Sequence, residues 1–156
     1  METWGPAQRA AGGVDEIALW RQLSRLMEQV NSTAGKRLTR GHGVSVSELM
    51  LLLSLAERRD GTLRISDLVK AVGSNQPSVS RAVARLEDAG WVERRSAVGD
   101  GRGVDVEITE EGRRLAGAAR QTLRGALAEV LDAAALNDAT ASLVARLRYV
   151  PVLPVE

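Results

Sequence analysis

Cysteine is absent from the 156 residues, and histidine occurs once, at His42. Without thiols there is no disulfide, no thiolate metal site, no catalytic cysteine and no thiol redox switch. One imidazole cannot build a clustered histidine metal site or a His–Cys dyad. No apolar run approaches the roughly 18 residues of a membrane span. The opening METWGPAQRAAGG lacks the apolar core of a secretion signal, so a cytoplasmic location with no membrane partner is expected. There is no glycine-rich phosphate loop and no nucleophile–base pair at a recognisable spacing, so an enzyme is not expected. Nor is a metal or cofactor. Lysine is scarce as well, at Lys36 and Lys70 only, and arginine supplies the remaining formal positive charge.

What is present is an ordinary globular composition, 44% hydrophobic and 26% charged, of a length that fits one domain. The net charge of +1 is too small for a histone-like binder. Basic character is instead local. Between Ser74 and Leu86 stand Arg81 and Arg85 with no acid. From Arg94 to Arg102 stand three arginines against Asp100. Such clustering suits a surface that meets an anionic groove.

Residues 1–13 carry four helix breakers and little periodicity, and read as a mobile arm. From Val14 the pattern is helical: Ile17, Trp20, Leu23, Met27 and Val30 recur at steps of three and four. Leu19 and Leu26 widen this stripe beyond what one packing neighbour needs, which points to a second contact. Thr39 to Gly43 break the pattern, and His42 is expected to be a solvated loop residue. Ser45-Val46-Ser47-Glu48 matches a capping box, opening a second helix to about Arg58. Asp60-Gly61 turns the chain, and Thr62-Leu63-Arg64 suits only a very short strand. Ser66 is expected to cap a short helix, 67–72, that Gly73 stops.

Asn75 caps the next helix, with Pro77 in its first turn. Gly90 ends it. Two helices joined by three residues beginning with glycine form a helix-turn-helix. Trp91 to Arg95 and Val104 to Ile108 flank a glycine-rich stretch and read as a hairpin. Thr109 caps a long helix to about residue 133, striped by Leu115, Ala119, Leu123, Leu127 and Val130. A last helix, 138–148, carries Leu143, Val144 and Leu147 on one face, and Pro151 and Pro154 end regular structure.

On the second helix of the pair, Val79, Val83 and Leu86 fall within one arc and face a core. The exposed N-terminal half then offers Gln76, Ser78, Ser80 and Arg81 to a major groove, with Asn75 and Pro77 at its start and Arg85 on its flank. Arg94 and Arg95 suit phosphate anchoring.

A helix-turn-helix followed by a hairpin is a winged helix. The run LVKAVGSNQPSVSRAVARLEDAGWVERR, the hairpin residues Asp100 and Arg102, and VDVEITEEG together resemble the multiple-antibiotic-resistance regulator (MarR) family. The resemblance covers most of the chain. It implies a mainly α (α+β) fold, a winged helix-turn-helix with N- and C-terminal dimerisation helices. It implies an arm at 1–13, dimerisation helices in 14–44 and 110–150, a DNA-binding region at 45–109 and a tail at 151–156. It implies a homodimer on a palindromic operator of double-stranded DNA, acting as a repressor and released by a small-molecule effector. Arg102 resembles the arginine this family places in the minor groove, and Asp100 its paired acid. Ile17, Trp20, Leu143 and Leu147 are the expected dimer contacts. The competing reading is a winged helix that binds protein and has no DNA role.

Overall fold

The computed structural model describes residues 15–96 and 103–148. A long helix, α1 (Glu16–His42), leads into α2 (Val46–Ala56), a short strand β1 (Thr62–Arg64), α3 (Ile65–Val72) and α4 (Gln76–Asp88). The strands β2 (Val92–Ser96) and β3 (Val104–Ile108) follow, then α5 (Glu110–Ala135) and α6 (Ala141–Arg148). The sheet is antiparallel in the order β1-β3-β2. Its register pairs Leu63 with Val106 and Val92 with Ile108, so Val106, Val92 and Ile108 are buried on one face. Among the described residues no helix is long and apolar enough to cross a membrane.

Three hydrophobic clusters organise these elements. The largest joins α2, α3, α4 and the sheet through Leu51, Leu52, Leu55, Leu68, Val83 and Val106. A second joins α1 to the C-terminal half of α5 and to α6, through Leu26, Val130 and Val144. Leu38, Val44, Leu49 and Ala119 tie the two regions together. Trp91 packs against both the first and the third cluster.

Three local expectations need correction. The helix α1 does not break at Thr39. It continues to His42, and the chain leaves it at Gly43, whose left-handed φ of 70° lets its N–H bond Thr39 O at 3.1 Å. A glycine inside a helix costs only about 1 kcal/mol against alanine, so Gly41 weakens the helix without ending it. His42 is therefore in a helical turn, and its Nε2 lies 2.7 Å from Thr122 Oγ1 on α5. Ser66 does not cap α3, which starts at Ile65 after Arg64, with no side-chain cap. Strand β1 runs directly into this helix, so no free turn is left for a serine cap. Finally, α6 starts at Ala141, not 138, because Asn137 first makes a turn in which its Oδ1 accepts from Ala139 N at 2.9 Å.

Candidate nucleic-acid interface

The turn between α3 and α4 rests on Gly73, whose φ of 60° is open to glycine and strained for most side chains. Asn75 then caps α4, its Oδ1 accepting from Ser78 N at 2.9 Å. Pro77 sits in the first turn, where a missing N–H costs little. Val79, Ala82, Val83 and Leu86 are buried at helical spacing and fix which face of α4 turns outward. Each such burial contributes on the order of 1–3 kcal/mol, so the outward face is strongly specified. That face exposes Gln76, Pro77, Arg81, Arg85 and Asp88, with Ser78 and Ser80 half-buried.

The arginines expected at this surface differ in how free they are. Arg81 has no carboxylate partner among the described residues, and its Nη2 donates to Ser78 Oγ at 3.3 Å. Arg85 donates Nε to Glu48 Oε1 at 2.7 Å. Arg94 braces the hairpin onto α4: its Nη2 donates to Ser80 O at 2.9 Å and its Nε lies 3.4 Å from Glu87 Oε2. Arg95 lies between two acids, 3.2 Å from Glu93 and 2.7 Å from Glu107. Glu93 and Glu107 face each other across the ladder, so Arg95 relieves a like-charge pair. Asp100 and Arg102 lie outside the described residues.

Glu48 is the one buried charged side chain among the described residues, with 7% of the residue exposed. It completes the capping box: its Oε2 accepts from Ser45 N at 2.8 Å, and Ser45 Oγ accepts from Glu48 N at 3.2 Å. Burial pushes its pKa up, but the Ser45 N–H and the Arg85 guanidinium outweigh that and hold it below the ordinary glutamate value. The folded state therefore holds this proton less tightly than the unfolded chain. The resulting stability is present above the ordinary glutamate pKa and is lost as pH falls through the lowered folded value. Urea denaturation of wild type and Glu48→Gln should show the larger difference at about pH 7 and a shrinking one towards about pH 3. A difference that grows on acidification contradicts the sign.

Sequence reasoning missed the acids that hold these arginines. The Ser45-x-x-Glu48 spacing shows the capping role of Glu48, but not its pairing with Arg85, 37 positions away. The alternation in Val104 to Ile108 did carry a signal. It puts Asp105 and Glu107 on one face of β3, opposite Arg95 and Glu93 of β2.

Two hollows flank α4. One, of about 250 Å³, separates it from the start of α2 and is lined by serines together with Arg81 and Arg85. The other, of about 470 Å³, lies towards the hairpin and includes Gln76, Ser80 and Arg94. Among the described residues no cluster of three His, Asp or Glu side chains is placed to hold a metal.

The expected dimer contacts divide. Ile17 and Trp20 are each 66% exposed and Leu147 is 47% exposed. Leu143 is buried against the chain's own Leu26, Val130 and Val144 cluster.

Helix pair, three-stranded sheet and hairpin define a winged helix-turn-helix. The model of the MarR family matches residues 42–103, and over that stretch the chain is similar to that family. It is 29% identical over 97 residues to the transcriptional repressor MprA of Escherichia coli, a match covering 62% of this chain and 54% of MprA. It is 39% identical over 91 residues to an HTH-type transcriptional regulator of Mycobacterium tuberculosis, covering 56% of this chain and 60% of that protein. The match thus spans little more than half the length of these curated relatives. Among solved structures it resembles Sco3205 of Streptomyces coelicolor, a MarR family transcriptional regulator in complex with DNA. That likeness has a TM-score of 0.73 at 26% identity and covers 88% of this chain and 89% of Sco3205.

Proposed function

We propose that this protein is a homodimeric, sequence-specific DNA-binding transcription regulator that recognises a palindromic operator as a repressor. The observation that carries this reading is the outward face of α4. A helix held by four buried side chains presents Gln76 and an arginine, Arg81, with no acid beside it among the described residues. An N-terminal half that is small, polar and cationic fits a major groove, and the far end, with Asp88, repels phosphate. Asn75, Pro77, Ser78 and Ser80 line the same entering end. Arg85, Arg94 and Arg95 serve the backbone, and Asp100 and Arg102 extend the hairpin's contact as the family resemblance implies.

Residues 45–109 are the DNA-binding region in this reading, and 14–44 with 110–150 the dimerisation region. Support for the second assignment comes from where apolar surface remains. Of the six large hydrophobic residues left exposed among the described residues, Ile17, Trp20, Met27, Leu136 and Leu147 lie on α1, α6 or at the end of α5. Light scattering at micromolar concentration should give twice the chain mass; a monomer contradicts the dimer. The effector belongs to the same proposal. A hollow of about 420 Å³ between α1 and α5, lined by Lys36, Arg37 and Arg40, favours an anionic one.

The reading as a protein-binding module draws support from one fact: Arg85, Arg94 and Arg95 all face carboxylates. Fluorescence anisotropy of full-length protein on genomic duplexes separates the two. Regulator behaviour is binding to a particular fragment that excess random-sequence duplex does not compete away. No binding supports the module, and equal competition by any duplex contradicts sequence-specific recognition.

A further inference from the structure

At the hollow between α2 and α4 the lining Arg85 is paired with a buried acid, Glu48. Glu48 comes from the first turn of α2 and Arg85 from the last turns of α4. The carboxylate divides its two oxygens. Oε2 takes the Ser45 N–H at 2.8 Å and Oε1 takes Arg85 Nε at 2.7 Å. Its place is therefore fixed by the α2 backbone, and it can fix the guanidinium in turn. The arginine side chain remains 60% exposed although the carboxylate side chain is only 10% exposed. No acceptor among the described residues takes either Nη nitrogen of Arg85. The same side chain lines the hollow with Ser45, Ser47, Ser74, Ser78 and Arg81. A guanidinium held through Nε keeps its two-nitrogen edge for a second, bidentate partner, and a phosphate matches that edge.

We infer that Glu48 is a positioning residue for DNA binding, which holds Arg85 through Nε so that its Nη edge grips one operator phosphate at the hollow between α2 and α4. This rests on the regulator reading above. It assigns to Arg85 a phosphate contact rather than a base contact, and to Glu48 a role through Arg85 only.

The sign of the effect separates positioning from simple electrostatics. Removing an acid beside DNA raises local positive charge, which alone tightens binding. Loss of positioning weakens it. The probes are a genomic fragment selected by the wild-type full chain and a random-sequence duplex of equal length. Glu48→Gln should weaken binding to the selected fragment about tenfold, as for one charge-assisted phosphate contact. It should lower the magnitude of the salt slope by about 0.9 per subunit. Binding to the random duplex should weaken by a similar factor, because a phosphate contact carries no sequence information. Arg85→Ala should show the same loss, and the double variant no more than Arg85→Ala alone. Arg85→Lys serves where Glu48→Gln folds poorly. It keeps the charge but cannot reach carboxylate and phosphate together, so it too should lose about tenfold. Wild-type or tighter binding by Glu48→Gln, additive losses, or wild-type binding by Arg85→Lys each overturns the inference while leaving the regulator reading intact. A wild-type protein that selects no fragment overturns both.

Discussion

Arg81→Ala is expected to cost roughly 1–3 kcal/mol of specific DNA binding and to relax preference at one position in each half-site. The residue stands two turns into α4 on the side opposite Val79 and Val83, which are buried. Its only polar contact among the described residues is a long one, 3.3 Å, to Ser78 Oγ on its own helix. Nothing there must be broken before it meets a base edge. The bidentate geometry of a guanidinium on guanine accounts for the size of the effect and for its confinement to one position. Arg94 and Arg95 differ, because each must loosen a carboxylate to bind DNA directly. Titration of wild type and Arg81→Ala against the preferred duplex and single-position variants checks this. Uniform weakening on every sequence would reduce Arg81 to a phosphate contact.

The second large effect concerns stability. Gly112→Ala should destabilise the fold by about 3 kcal/mol. A Cβ at this position would lie 2.1 Å from the backbone oxygen of Trp91 and 2.9 Å from Ile108 Cγ1. The Trp91 carbonyl cannot move aside freely. It accepts from Thr109 N at 3.0 Å, and Trp91 N donates to Leu86 O at 2.9 Å. Thr109 Oγ1 also donates to Gly90 O at 2.9 Å while accepting from Gly112 N at 3.0 Å. The start of α5 is thereby pinned to the end of α4, and a methyl group forces them apart. Gly117→Ala on the same helix is the control. Its Cβ meets nothing within 4 Å, so it should be neutral or gain up to about 1 kcal/mol from helix propensity. Urea denaturation of both variants measures this, and a Gly112→Ala protein as stable as Gly117→Ala would deny the close approach.

These two residues show what the sequence makes legible. Caps and stops act through neighbours in the chain, so Ser45, Asn75 and Thr109 mark the starts of α2, α4 and α5 correctly. The buried arc of α4 follows from period alone, with Val79, Val83 and Leu86 inside. Where α1 ends was not legible, because Gly41 and Gly43 look alike in sequence and only Gly43 adopts the left-handed backbone. The place of His42 is hidden for the same reason, and its partner Thr122 lies 80 positions away. The freedom of each arginine was also hidden. Glu48, Glu87 and Glu107 reach their partners across packed elements, and charge counting within a segment cannot find them. Leu143 shares a helix face with Leu147 in sequence, yet the fold buries one at 8% and leaves the other 47% exposed. That difference depends on where α5 lies.

The central claim is that α4 of each subunit reads one half of a two-fold DNA site. Sequencing of genomic fragments selected by the purified full-length protein tests it most directly. The account predicts one enriched inverted repeat, with half-site centres about one helical turn, ~34 Å, apart, because a two-fold dimer sets its two recognition helices at that spacing. Recovery of no enriched sequence, or of a motif without two-fold symmetry, would contradict it.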